Sequence, residues 1–104
     1  MLFRSLKKKK IDVDFYNGFP IRGAVDNNKK KVVKYLLDNN CDISIRRYKV
    51  VKNVLSSDNK EMFKLLIKGS KYDLSKNEKK FLIKLVLDYG VKDSEFYINI
   101  IKEK

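Results

Sequence analysis

The sequence predicts an all-α chain of stacked helix pairs, because three landmarks recur together about every 30 residues. The first is a set of apolar pairs spaced i, i+1, i+4, i+5. It stands at Val32, Val33, Leu36 and Leu37, at Met62, Phe63, Leu66 and Ile67, and at Phe96, Tyr97, Ile100 and Ile101, with Leu2, Phe3 and Leu6 supplying three of the same four. That spacing gathers the side chains on one side of a helix. The second is an i, i+3, i+4 triplet ahead of each of the last three sets: Ile21, Ala24 and Val25; Val51, Val54 and Leu55; Ile83, Val86 and Leu87. The third is an Asp followed by an aliphatic residue and then Asp or Ser, beginning at Asp12, Asp42 and Asp73. A plain bundle has no reason to share one period among three landmarks. Each pair carries apolar residues on two sides, so it buries them only by stacking on its neighbours.

Taken in order, the patterns centre helices near residues 3, 24, 34, 54, 64, 84 and 98. Pro20 suits the first turn of its helix, where a missing N–H costs nothing. Asp58 with Glu61, and Ser75 with Glu78, have the spacing of a capping box. Gly69 and Gly90 follow apolar helical runs, the place of a left-handed C-cap.

The run Pro20-Ile21-Arg22-Gly23-Ala24, then Val32 to Leu37, then Cys41-Asp42-Ile43-Ser44 resembles one complete ankyrin repeat, whose pattern reads T-P-L-H-x-A, a helix pair, and a loop ending G-A-D-(I/V)-N. Pro20, Ala24, Leu36, Leu37, Asp42 and Ile43 stand where the family has them. Phe19 replaces the Thr, Arg22 the His, Asn40 the Gly, Cys41 the Ala and Ser44 the Asn. The resemblance is clear over residues 11–44 and weaker elsewhere: Val50 and Val51 stand where the pattern wants Pro-Leu, and the last unit has an extra residue or two near Ser94. It implies one ankyrin-type solenoid over 1–104, divided into a partial repeat at 1–14, repeats at 15–44 and 45–75, and a terminal repeat at 76–104. The short second period implies that the β-hairpin finger around Ile45 to Lys49 is trimmed or replaced by a simple turn.

Charge is the other prominent feature: 25 Lys and Arg against 13 Asp and Glu, net +12. Two readings stand side by side. The lysines could be the ordinary solvated residue of an AT-rich genome, or they could set up a field that attracts an acidic protein, nucleic acid or an anionic membrane. No His is present and only one Cys, so the common nucleophile–base pairs and His-rich metal sites cannot be assembled. The four glycines are too dispersed for a phosphate loop. No enzyme, no cofactor and no metal are expected. Cys41 falls on a small buried position of the repeat, which reads as a spacer. No apolar run approaches the roughly 18 residues of a membrane span, and Arg4 with Lys7 to Lys10 lacks the apolar stretch of a signal peptide. An intracellular, cytoplasmic protein is the expectation.

In ankyrin proteins the fingers and the exposed side of the first helices line a concave groove that grips protein partners. Carried over by position, that surface takes Tyr16, Asn17, Phe19, Arg22, Asp26 and Asn27 from the clear repeat. The next unit adds Arg46, Arg47, Tyr48, Lys49, Lys52, Asn53 and Ser56, and the last adds Lys76, Asn77, Lys80, Lys84 and Tyr89. Phe19 could equally pack on the next unit, whereas Tyr16 and Tyr48, being amphipathic, favour contact with a partner. Lys29, Lys30, Lys31 and Lys34 open a second helix and face the convex side. The implied function is a non-enzymatic protein-binding module with an acidic partner, acting as adaptor or inhibitor. Compact Lys-rich chains of this type resemble ankyrin proteins of large DNA viruses, phages and intracellular bacteria, which implies a factor aimed at a host protein within the host cell. The alternative is nucleic-acid association through a basic phosphate cradle, with Tyr16, Phe19 and Tyr48 as stacking platforms. A polybasic membrane contact through residues 4–10 is a third reading.

Overall fold

The computed structural model describes residues 15–104, with side chains from Phe19 onward. Among the described residues all regular structure is helical: α1 (Phe15–Asp26), α2 (Lys30–Asp38), α3 (Ile45–Ser57), α4 (Lys60–Gly69), α5 (Lys76–Tyr89) and α6 (Ser94–Glu103). The centres follow the sequence periodicity, and the helix expected near residue 3 lies outside the described residues.

Short connections make three hairpins, α1–α2, α3–α4 and α5–α6, and the same local device opens each turn. Asn28, Asp58 and Gly90 are left-handed, with φ of 53°, 53° and 62°. Their N–H groups donate to the carbonyls of Val25, Leu55 and Leu87. A left-handed residue turns the chain sharply after the last helical turn. Only Gly90 does so without a Cβ penalty, while Asn and Asp tolerate the region better than other residues. Asn40, after α2, is likewise left-handed at φ 68°.

The hairpins then stack. α1 packs on α3 and α3 on α5, while α2 packs on α4 and α4 on α6. Odd helices therefore form one row and even helices the other, with a single core between them that draws on all six. Polar ties between hairpins repeat the period: Asn59 donates to Asn28 at 3.3 Å, Tyr72 Oη to the Asn40 carbonyl at 3.1 Å, and Lys30 pairs with Glu61. Lys104 Nζ donates to the carbonyls of Ile67 and Ser70 at the end of α4, where a cation also complements the helix dipole.

Several local expectations are corrected. Pro20 lies inside α1 rather than in its first turn, because the helix begins a turn earlier, and it leaves one i−4 carbonyl without its usual donor. Asp58 is not the N-cap of α4. That role falls to Asn59, whose side chain accepts from the Met62 N–H, and Asp58 is the C-cap of α3. Ser75 and Glu78 do form the capping box. Gly69 is the last helical residue of α4 rather than a left-handed cap. A Cβ there would sit 2.9 Å from Leu37 Cδ1, so the glycine serves the close approach of α4 to α2. Val32 and Leu87 match the core patterns yet are 47% and 58% exposed. Cys41 is buried, as expected of a spacer.

Where the sequence implies a trimmed finger or a simple turn, the chain makes a left-handed turn of three non-glycine residues, Arg46, Arg47 and Tyr48, with φ of 57°, 55° and 63°. Each costs roughly 1–2 kcal/mol against right-handed backbone. Tyr48 anchors the turn. Its N–H donates to the Ser44 carbonyl at 3.0 Å, its buried ring lies 5.8 Å from that of Phe81, and its hydroxyl donates to Glu78 Oε2 at 3.1 Å. Asp42 holds the entry by accepting from the N–H and Oγ of Ser44. Arg46→Gly should therefore raise stability by about 0.5–1 kcal/mol, the relief of the left-handed penalty less the extra freedom of glycine in the unfolded chain. Equilibrium urea unfolding checks this; a lower midpoint would exclude the left-handed turn.

Candidate interaction surface

Counted back from the left-handed turns, the odd helices share one register. Arg22, Lys52 and Lys84 each lie six residues before Asn28, Asp58 and Gly90 respectively, so the three neighbouring helices α1, α3 and α5 carry a cation at the same place. Axes packed at about 8–10 Å space these cations as a column across the row. Arg22 stacks toward the exposed ring of Phe19, its Cζ 6.0 Å from the centroid. Phe19 is 56% exposed, which counts against its packing on the next unit. Asp26 accepts from Asn53 Nδ2 at 3.5 Å, tying the far ends of α1 and α3. Asn27 turns its amide back onto the Gly23 carbonyl at 2.9 Å, so it closes its own helix.

Along the start of α3, Arg46, Arg47 and Lys49 are exposed and Lys52 is half-buried. Lys76, Lys79 and Lys80 continue the basic band on the first turns of α5, which packs against α3. Lys79 was missed in the sequence, although the Ser75–Glu78 capping box fixes its place in the first turn. None of these seven cations has an ion pair among the described residues, whereas Lys84 pairs with Asp88 at 3.1 Å. The even row differs. Lys30 pairs with Glu61, Lys34 with Asp38, Lys60 with Asp93 and Lys68 with Glu103, and Glu61 and Glu103 are held below the usual carboxylate range by hydrogen bonds from their lysines. Cations at helix N-termini oppose the helix dipole, so the band on α3 and α5 is placed against local helix preference.

Tyr48 is the main correction to the predicted surface. It is buried, 6% exposed, and works as an anchor inside the stack; burial, and next the Glu78 carboxylate, push its phenol above its ordinary value of about 10. Tyr89 is exposed at the end of α5. The side chains of Tyr16 and Asn17 lie outside the described residues. A cavity of about 170 Å³ opens behind the left-handed turn, between the Asp42–Ser44 and Ser70–Leu74 loops. Two of its three carboxylates have structural work: Asp42 holds Ser44, and Glu78 accepts from both Tyr48 and the Ser75 N–H, while Asp73 completes the lining. Hydrogen bonding from the Ser75 backbone keeps Glu78 below the usual carboxylate range.

Among the described residues, no group of three His, Cys, Asp or Glu side chains could hold a metal ion, and no helix is long and apolar enough to cross a membrane. Comparisons with protein-family models, with curated proteins and with solved structures find no match for this chain.

Proposed function

We propose that this chain is an ankyrin-type repeat module, without catalysis of its own, that binds an acidic partner protein through the face of α1, α3 and α5 and acts as an adaptor or inhibitor by occupying it. The observation that carries this reading is the unequal pairing of cations between the two rows. A genome bias toward lysine would spread cations without regard to row, yet on α2, α4 and α6 most are neutralised locally and on α3 and α5 nearly all are left to the solvent. An unneutralised band concentrates positive potential and speeds encounter with an anionic surface. The repeat-type reading is supported by the order of helix contacts, the three equivalent left-handed turns and Asn40 at the glycine position. Burial of Tyr48 removes one of the three stacking platforms that single-strand recognition would use.

The test is to titrate poly-L-glutamate, a 20-nucleotide single strand and a duplex against the parent and two charge-reversed variants. Arg46→Glu with Arg47→Glu should weaken the polypeptide at least about tenfold, roughly 1.4 kcal/mol. Lys31→Glu with Lys64→Glu, exposed cations of the even row without an ion pair among the described residues, should change it about threefold or less. Equal losses from both variants, with tight nucleic-acid binding that collapses between low and high salt, would replace this reading by a phosphate cradle.

A further inference from the structure

The left-handed turns also register the stacking faces. Val25, Leu55 and Leu87 each accept the N–H of their own left-handed residue, so they are the same position in three successive hairpins. Val25 is 7% exposed, Leu55 is 2% exposed and Leu87 is 58% exposed. One turn earlier, Ile21 and Val51 are buried and Ile83 is only half-buried. α3 lies on α1, and α5 on α3; no described helix lies on the far side of α5. Ile98 of α6 is apolar and half-buried at the place where α2 and α4 carry the exposed Lys34 and Lys64.

We infer that the outer face of α5, centred on Ile83 and Leu87, is a second docking site, which takes an amphipathic α-helix of a protein partner laid on α5 as α5 lies on α3. The charge of that helix follows from the cations beside the apolar face. Lys76 and Lys80 are exposed and without an ion pair among the described residues. Lys76, Lys80, Ile83 and Leu87 follow at i, i+4, i+7 and i+11, one stripe of a helix. The complementary helix therefore carries acidic residues in its first turn, against Lys76 and Lys80, and aliphatic or aromatic residues after them, against Ile83 and Leu87. A second copy of this chain brings a net charge of +12 to the contact, which opposes self-association at this basic rim. The site shares Lys76 and Lys80 with the basic band of the α1–α3–α5 groove, but its apolar centre, Ile83 and Leu87, lies at the end of the row and not along its exposed length.

The probe is a hydrocarbon-stapled helical peptide with Glu in its first turn and Leu at i, i+3, i+4 and i+7, with a counterpart in which Lys replaces every Glu. Methyl NMR of the full chain should show the acidic peptide shifting Ile83, Leu87 and Ile98, and the basic counterpart binding at least about tenfold more weakly. Leu87→Glu should weaken the acidic peptide at least about tenfold, because the site loses its apolar centre. Leu87 is solvent-exposed, so that variant should melt with the parent, and Lys80→Glu supplies a second reading at the rim. Arg46→Glu with Arg47→Glu should leave the peptide affinity unchanged, which separates this site from the groove. Equal affinity for the two peptides, methyl shifts confined to other faces, or unchanged affinity in Leu87→Glu would overturn the proposal. So would sedimentation showing a dimer that Leu87→Glu dissociates, which would give the face to a second copy.

Discussion

Phe63→Ala should come close to unfolding the protein, with a loss of about 3–5 kcal/mol from a total of about 5–15 for a domain of this kind. Phe63 is fully buried on α4, and α4 packs on α2, α3 and α6. Its ring meets that of Tyr97 edge to face, with centroids 4.7 Å apart and an interplanar angle of 84°, a geometry worth somewhat more than its area alone. Truncation leaves a cavity that rigid flanking helices cannot close, and the single core carries the damage into all three hairpins. For a chain of this size each kcal/mol lowers the melting temperature by roughly 4–8 °C, so calorimetry should find a fall of about 12–40 °C or no cooperative transition. Val32→Ala is the control: Val32 follows the same sequence pattern but is 47% exposed, and its loss should stay within about 0.5–1 kcal/mol. Similar melting for the two variants would mean that α4 is not the centre of the stack.

Asp58→Ala should be the next most damaging, at about 2–4 kcal/mol, although Asp58 itself is exposed. Two independent effects add. The Asp58 carboxylate accepts a hydrogen bond from the hydroxyl of fully buried Tyr97, and an orphaned buried hydroxyl costs about 1–3 kcal/mol. Asp58 is also left-handed, with φ 53° and ψ 43°, where Ala lacks the local hydrogen bonding that lets Asp and Asn tolerate the region, at roughly 1 kcal/mol. A series separates them. Asp58→Gly keeps only the first loss and should be the milder variant, while Asp58→Asn keeps an acceptor and the backbone tolerance and should unfold near the parent midpoint in urea. If Ala and Gly prove equal at this position, the left-handed turn carries no part of the cost.

How the two levels divide is visible in single residues. The apolar pairs made Met62, Phe63, Leu66 and Ile67 legible as a core, and they are all fully buried, because a helix period fixes which side chains share a face. Ser75 with Glu78 was equally legible, since a capping box needs only four consecutive residues. Val32 and Leu87 follow the same patterns and are exposed, for burial depends on whether another helix covers the face, and a local pattern contains no neighbour. Tyr48 shows the converse. The resemblance and its amphipathic ring place it on a partner-facing surface, but a left-handed turn swings it onto Glu78 and Phe81, a conformation that local preference disfavours and only contacts 30 residues away can hold.

By itself, then, the sequence determined the all-helical class, the repeat length, most of the core and the excess of positive charge, since these follow from periodicity and composition. Which cations are neutralised from one hairpin to the next, which aromatic side chains are buried and which stacking face stays uncovered were decided only by the tertiary structure. Those properties belong to pairs of residues about 30 positions apart, such as Lys30 with Glu61 and Tyr48 with Glu78, and they exist only once one hairpin has packed on the next.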